Sequence, residues 1–163
     1  YTTLFRSDNQ IIKEVQSKYN GAQITKDMAR RWKEQHSFVS TGAPEEPVLV
    51  DFSIDGKAMT LDITDCIQRA CESIVDPIVE NVKVLIAESN PEYHDEFRKN
   101  MVLAGGGSSI RGLGALIERR LSDMGDVNVH VVDDPVRLGA MGGLRLAMEV
   151  PEEMWKNLTL ASR

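Results

Sequence analysis

Cysteine, aromatic residues and excess positive charge are all scarce in this sequence of 163 residues. The 19 lysines and arginines stand against 25 aspartates and glutamates, so the formal net charge is -6. Such a chain lacks the positive field of a general nucleic-acid binder. Apolar runs such as residues 48–50 and 101–104 fall far short of the roughly 20 residues that span a bilayer, so we expect no membrane span.

The two cysteines, Cys66 and Cys71, lie on one predicted helix. Their spacing turns the side chains roughly 140° apart, which argues against a disulfide. No further cysteine and no nearby histidine completes a zinc set, so we expect two buried thiols, a reducing compartment and no metal site. Because the chain begins with Tyr1 rather than methionine, we also expect a fragment of a longer protein.

Hydrophobic spacing predicts two helices near the start of the chain. Ser7 and Gln10 have the spacing of a capping box, which predicts a helix over residues 8–18. A second helix is predicted over residues 25–36, and it is unusually basic for an acidic protein. On its own, the basic cluster at residues 26–33 is typical of a solvated surface, so a binding role needs separate support.

A loop and a β-hairpin are predicted next. Two prolines and a glycine in residues 40–47 argue against a helix or a paired strand. Two strand-like runs, residues 48–53 and 58–63, then flank Asp55-Gly56, a dipeptide typical of a tight hairpin turn.

A long helix with a wide apolar face is predicted after the hairpin. Asp65 and Gln68 have the spacing of a second capping box, and apolar residues then recur at intervals of three and four. Because Pro77 lacks a backbone N–H, we expect this helix to bend near Ile74 rather than to divide into two helices.

The most informative local pattern is a strand, a glycine turn and a helix. Residues 101–104 predict a buried strand, residues 105–107 are all glycine, and a helix bearing apolar residues from Ile110 to Leu121 is predicted directly afterwards. Such a turn lets a ligand approach the backbone closely, and the following N–H groups favour a phosphate or a ribose oxygen. A plain tight turn is the competing interpretation, because neither the dinucleotide nor the phosphate-loop motif is present.

The last predicted elements are a strand at residues 127–132 and a helix at residues 136–148, with Asp134 as the expected cap. Three glycines inside this helix each cost roughly 1 kcal/mol relative to alanine. We expect them to serve close approach to another backbone or to a ligand. They are Gly139, Gly142 and Gly143.

No arrangement of side chains typical of nucleophilic catalysis is visible. His36, His94 and His130 belong to unrelated predicted elements, and none stands beside a serine or cysteine at a strand-to-helix turn. We therefore predict no catalytic residue in this chain.

Three segments, taken in order, resemble the actin superfamily. Residues 28–39 are similar to the helix whose Lys-Glu pair borders the adenine pocket. Residues 102–113 look like the family's adenosine motif, a strand that ends in a glycine turn under the nucleoside. Residues 131–135 are similar to the segment that follows in bacterial actins, and the intervening elements stand in MreB-like order. The chain is thereby identified as a bacterial actin-like protein over nearly its whole length.

The resemblance implies a fold and a ligand. The implied fold is α/β with an α+β tendency: the second large lobe of an actin-like ATPase, ribonuclease-H-like and helix-rich, with a β-hairpin subdomain. The implied ligand is ATP or ADP. The residues implied to surround its nucleoside part are Lys33, Glu34, Gly105, Gly106, Gly107 and Ser109, with Arg30 as a weaker member.

The sequence departs from the family pattern where phosphates and metal are held. The family uses two Asp-Gly hairpins of its first half for this purpose, and Asp55-Gly56 belongs to a different segment. We therefore expect Mg²⁺ to be bound in the full-length protein and not by residues of this chain. Enzymatic activity stays open, with the expectation that the chain alone is inactive.

The resemblance also implies an organisation and a role. Residues 7–63 are expected to form a helical and β-hairpin subdomain, residues 64–134 a linking helix and the adenosine-motif part, and residues 135–163 a crossing helix and tail. The implied role is the nucleotide-binding half of a filament-forming cytoskeletal ATPase that positions organelles, such as the magnetosome chain. The alternatives are a non-catalytic lobe that caps, scaffolds or regulates the complete filament protein, and a cell-shape actin of the MreB type.

The partners and the location follow from the same resemblance. The implied partners are further copies of the protein in a filament and an organelle- or membrane-associated adaptor. No nucleic acid is implied. The expected location is a filament in the bacterial cytoplasm.

Overall fold

The computed structural model describes residues 2–54, 57–151 and 154–155, and helices dominate it. The helices are α1 (Thr2–Lys18), α2 (Lys26–His36), α3 (Thr64–Glu72), α4 (Val75–Glu88), α5 (His94–Lys99), α6 (Leu113–Leu121) and α7 (Leu138–Glu149). The strands are β1 (Leu49–Ile54), β2 (Lys57–Asp62), β3 (Met101–Leu103) and β4 (Val129–Val131).

A continuous apolar core joins the first helices to the hairpin strands. Ile11 and Val15 recur four residues apart on α1, so both face inward and are fully buried where α1 packs on α3. Ile67 of α3 is also fully buried. Trp32 of α2 meets Phe52 of β1 edge to face, with ring centroids 6.4 Å apart. Periodic apolar residues on α1, α2 and α3 thus fix the position of the helix that carries the Lys-Glu pair.

The strands form two separate two-stranded sheets. β1 and β2 pair antiparallel, from Leu49 opposite Asp62 to Ile54 opposite Lys57, which confirms the predicted hairpin strands. Their predicted turn, Asp55-Gly56, lies outside the described residues. β3 and β4 pair in parallel, and α6 provides the crossover between them.

The predicted starts of two helices are wrong. Ser7 lies inside α1, where it is buried, because α1 already begins at Thr2. The expected cap Asp65 lies inside α3, and the cap position is occupied by Ile63. Asp62, one residue earlier, accepts hydrogen bonds from N and Oγ1 of Thr64 at 2.9 and 2.6 Å. A capping-box spacing also occurs between two residues in a helix interior, so it indicates a helix without locating its first turn.

The long helix predicted after the hairpin divides in two rather than bending, so that prediction is also wrong. Ser73 and Ile74 separate α3 from α4. Pro77 falls in the first turn of α4, where an N–H would have no intrahelical partner, and the proline therefore costs little there. Ser73 closes α3 by donating its hydroxyl to the carbonyl of Ala70 at 2.7 Å.

β3 is more exposed than the buried strand predicted for residues 101–104. Val102 is 60% exposed. Within the part of the chain that the structure describes, β3 pairs only with β4, so its other edge is unpaired as well. The helix expected directly after the glycine turn also starts later than predicted. Ile110 precedes it, and α6 begins at Leu113.

Both cysteines are free and fully buried on α3, as predicted. Burial raises the pKa of the Cys71 thiol to about 11, although the N–H of Phe38 and the charge of Lys33 act in the opposite direction. Burial likewise raises the pKa of Cys66. Both groups therefore remain neutral thiols in the folded chain at physiological pH.

We expect these thiols to resist alkylation and the fold to weaken at high pH. The thiolate is the reactive form, so a thiol reagent should modify both cysteines orders of magnitude more slowly in the native chain than in denaturant. Unfolded Cys71 ionises near its usual pKa of 9.0, whereas folded Cys71 keeps its proton to about pH 11. The stability that this thiol contributes is therefore complete below pH 9 and is lost between about pH 9 and 11. Urea midpoints of wild type and Cys71→Ala across that window measure the loss, and equal labelling rates in native and denatured chains would contradict the burial.

Candidate functional site

The glycine turn after β3 is held by the segment that follows β4. Gly105 has a φ of +85°, a conformation that favours glycine. Its N–H donates to the carbonyl of Pro135 at 2.8 Å, and its own carbonyl accepts hydrogen bonds from N and Oγ of Ser108 at 3.0 and 2.8 Å. Ser108 is buried, so these bonds fix the turn in one shape.

The next two glycines face open space. A Cβ atom at Gly106 or Gly107 would meet no other atom within 4 Å, and neither residue has a positive φ. The shape of the turn therefore requires glycine at Gly105 alone. A plain tight turn does not explain the glycines at positions 106 and 107, because other residues would fit there in the described chain. Ser109 lies exposed at the end of the same turn. The turn thus presents a bare backbone surface that another molecule can approach closely.

A strand-like bridge joins the end of α2 to the residues after the turn. Phe38 pairs in parallel with Arg111. The N–H of Val39 donates to the Arg111 carbonyl at 3.0 Å, and the N–H of Arg111 donates to the Ser37 carbonyl at 3.2 Å. The hydroxyl of Thr41 also donates to the carbonyl of Gly112 at 2.6 Å. The two segments that resemble opposite walls of one pocket are therefore bonded to each other.

The predicted residues of α2 have different environments. Arg30 and Glu34 are exposed, whereas Lys33 is mostly buried. Nζ of Lys33 lies 2.5 Å from Oδ1 of Asp8 on α1. The positive charge of Lys33 is thus already paired within the chain, and Arg30 and Glu34 are the two predicted α2 residues whose side chains reach solvent.

Asp8 is a residue of this region that was not predicted, although its position in the sequence carries a signal. Asp8 precedes Ile11 and Val15 by three and seven residues, so all three share the buried face of α1. A carboxylate at such a position needs a buried partner, because an unpaired charge is costly to remove from water. A basic residue on a neighbouring helix was the partner to look for.

A cavity of about 420 Å³ lies beside the glycine turn. Its walls are the end of the turn, the start of α6 and the segment around β4, with Ser109, Glu118 and Asp133 as polar members. Glu118 is occupied, since its Oε1 accepts the N–H of Val129 at 2.7 Å. No residue of α2 lines this cavity, so it is a neighbour of the surface between the two walls and not that surface itself.

The glycines of the last helix, α7, were expected to allow close approach to another backbone or to a ligand, and the structure shows no such close approach within the described chain. A Cβ added at any of its three glycines would meet no other atom within 4 Å. Its large apolar side chains are exposed as well, and none of its residues is buried. Among the described residues, then, nothing packs closely against this helix. The prediction that Asp134 caps this helix is wrong, because α7 begins at Leu138 with Arg137 in the cap position. Asp134 accepts the N–H of Arg137 at 3.2 Å in the turn that precedes the helix.

The remaining chemistry of the described residues is limited. Within residues 2–54, 57–151 and 154–155, no three histidine, cysteine, aspartate or glutamate side chains come together as a metal-binding group. No helix in this part of the chain is long and apolar enough to cross a membrane. His36, His94 and His130 lie at the end of α2, at the start of α5 and in β4, so the structure does not bring them into one element. The backbone bridge between the end of α2 and the residues after the glycine turn is what brings the two predicted segments of the site together.

Solved structures define the class of protein to which this arrangement belongs. The chain superposes on the MamK double helical filament with a TM-score of 0.83 at 37% sequence identity, over 90% of this chain and 45% of that one. A non-polymerising MamK mutant bound to AMPPNP gives a TM-score of 0.80 at 37% identity, over 89% of this chain and 44% of that one. The fold is an actin-like lobe, which confirms the predicted fold class.

Sequence comparison then gives the family. The family described as MreB/Mbl protein matches residues 6–154. Actin-like protein MamK of Paramagnetospirillum magneticum is 37% identical over 160 residues, which are 96% of this chain and 46% of that protein. The chain belongs to the MreB/Mbl family and spans about half the length of the curated relatives it matches. The resemblance inferred from its motifs is thereby confirmed.

Proposed function

We propose that the chain is the nucleotide-binding half of a filament-forming, actin-like ATPase of the MamK kind. The observation that carries this proposal is the bridge between Phe38 and Arg111, which joins the Lys-Glu helix to the glycine turn. A related structure contains AMPPNP, which supports a nucleotide as the ligand. Another is a filament, which supports assembly of further copies.

The proposed nucleoside site has one wall of bare backbone and one wall of polar side chains. The glycine turn admits a flat ring or a ribose without steric conflict, since a Cβ at its second and third glycines would meet no neighbour. The exposed carboxylate of Glu34 is a hydrogen-bond acceptor suited to ribose hydroxyls. A bound nucleotide supplies the phosphoanhydride bond, while this chain holds the nucleoside end. The proposed binding residues are Arg30, Lys33, Glu34, Gly105, Gly106, Gly107 and Ser109.

The role of the whole protein follows as part of the same proposal. We assign it to cytoplasmic filaments that position an organelle such as the magnetosome chain, with Mg²⁺ and the phosphates held outside this chain. Its partners are further copies of itself and an organelle- or membrane-associated adaptor. Identity of 37% to a MamK sequence over 160 residues favours this role over a cell-shape role.

Substitutions at two open glycines test the nucleoside site. Gly106→Val should weaken binding of a fluorescent ATP analogue tenfold or more, because a side chain there fills the proposed wall and overpacking costs ~1–3 kcal/mol. Gly139→Val is the matched control, since a Cβ is equally unopposed there and the position lies on α7. Anisotropy titrations of both variants and of Glu34→Ala give the dissociation constants, and circular dichroism confirms that each variant folds.

Two outcomes would contradict the proposal. Equal affinities of Gly106→Val and Gly139→Val would mean that the glycine turn is not a nucleoside wall. A wild-type chain that binds neither ATP nor adenosine would mean that this half does not carry the nucleoside site.

A further inference from the structure

Asp8 and Lys33 form an ion pair in the interface between α1 and α2. Their charged atoms are 2.5 Å apart, and the side chains are 9% and 13% exposed, respectively. Another acid of α1, Glu14, pairs with Arg69 of α3 at 2.8 Å, but those side chains are 20% and 53% exposed. The pair of Asp8 and Lys33 is therefore better shielded from water, and attraction between charges strengthens as the local dielectric constant falls.

This ion pair fixes the position of the Lys33 ammonium group. Separating a buried pair leaves an uncompensated charge in the interior, which is strongly unfavourable. The Lys33 ammonium therefore stays beside Asp8, while the next residue, Glu34, is exposed. A phosphate outside the chain would have to compete with the Asp8 carboxylate for the same ammonium.

We propose that Asp8 is a positioning residue of the nucleoside site. It holds Lys33 against α1 and neutralises its charge, so that this wall selects the nucleoside and not the phosphates. Lys33 contributes its position and its hydrocarbon stem, and Glu34 contributes hydrogen bonds. The inference rests on the proposed function and adds to it a residue that lies outside the motifs by which the site was predicted.

The affinity ratio of ATP to adenosine tests this role directly. Competition against a fluorescent ATP analogue gives both dissociation constants at low and high salt. In wild type we expect a ratio that changes little with salt. In Asp8→Asn the Lys33 ammonium loses the Asp8 carboxylate that competes with the phosphates, so ATP should gain about tenfold over adenosine at low salt and lose that gain at high salt. Glu14→Gln removes another interhelical acid of α1 and should leave the ratio unchanged.

A double variant separates charge release from a change of fold. Asp8→Asn/Lys33→Met removes both charges, which a buried pair tolerates better than the loss of one partner. Its ratio of ATP to adenosine affinity should return to the wild-type value. An Asp8→Asn variant that binds adenosine normally and keeps the wild-type ratio overturns the inference.

Amine labelling examines the ion pair without any nucleotide. Reductive methylation followed by mass spectrometry should modify Lys33 much more slowly than the exposed Lys26 in wild type, and at a similar rate in Asp8→Asn. Equal rates in wild type overturn the inference at the ion pair itself. If Lys33 is protected but the wild-type chain binds no nucleoside, the proposed function has failed and this role of Asp8 fails with it.

Discussion

Gly112→Ala should destabilise the chain by about 3 kcal/mol or more. Gly112 has a φ of +81°, which costs other residues roughly 1–2 kcal/mol. A Cβ there would lie 2.7 Å from Oγ1 of Thr41 and 2.8 Å from Cα of Gly42, and overpacking of this kind costs about 1–3 kcal/mol. The loop does not yield easily, because Thr41 is hydrogen-bonded to the Gly112 carbonyl and the N–H of Gly42 donates to Val39 at 2.8 Å. Urea unfolding followed by circular dichroism measures the loss.

Two other glycines separate the causes of this effect. Gly105 has open space around its Cβ position, but its φ of +85° and ψ of 166° fall in a region essentially restricted to glycine, so Gly105→Ala should show a conformational cost without a steric one, about 1–3 kcal/mol. Gly106 has neither constraint, and Gly106→Ala should leave the urea midpoint almost unchanged. If Gly112→Ala unfolds at the same urea concentration as Gly106→Ala, the close contact with the loop does not exist in solution.

The contact between Gly112 and Gly42 lies between the two segments that form the proposed nucleoside site. A Cβ at Gly42 would lie 2.5 Å from the carbonyl carbon of Arg111, so glycine is required on both sides. This contact continues the backbone bridge between Phe38 and Arg111. We therefore expect Gly112→Ala to weaken nucleotide binding as well, since it pushes α2 away from the glycine turn.

Features encoded by neighbouring residues were predictable from the sequence. α2 starts near Thr25 as expected, and Thr25 caps it by accepting the N–H of Met28 on Oγ1 at 3.3 Å. The hairpin strands follow from two β-type runs around an Asp-Gly dipeptide. In both places the chemistry that fixes the structure lies within a few residues of chain, so a local pattern is sufficient.

Features that depend on distant residues were not predictable in the same way. Nothing near Ser7 shows that α1 begins earlier, and Pro77 is compatible with either a bent helix or the start of a new one. The ion pair of Asp8 with Lys33 and the bridge from Phe38 to Arg111 join segments that are remote in sequence. For the site, the motifs indicated which residues to examine, and the fold supplied the contacts that hold them in place.

Phe38→Ala should have the second large effect, a loss of about 3–5 kcal/mol of stability. Phe38 is fully buried, and it stands where α2, α3 and the segment before α6 meet. Its ring lies 6.0 Å from the Arg111 guanidinium carbon, and its backbone N–H acts on the Cys71 thiol of α3, whose pKa it lowers against the effect of burial. Removing the ring leaves a cavity among these groups that the rigid bridge cannot easily fill. Urea unfolding of wild type and variant measures the change.

Phe97→Ala is the matched control, because the same atoms are removed from a side chain that is 46% exposed and whose ring contacts that of Tyr93. It should cost less, about 1–2 kcal/mol, since nearly half of this residue's surface is already in contact with water. A comparable loss in the two variants would contradict the burial of Phe38.

The affinity of Phe38→Ala for the ATP analogue, measured under conditions in which the variant is folded, tests whether this side chain also affects binding. Weaker binding by a folded variant would support a role of the Phe38 side chain in maintaining the distance between the two proposed walls.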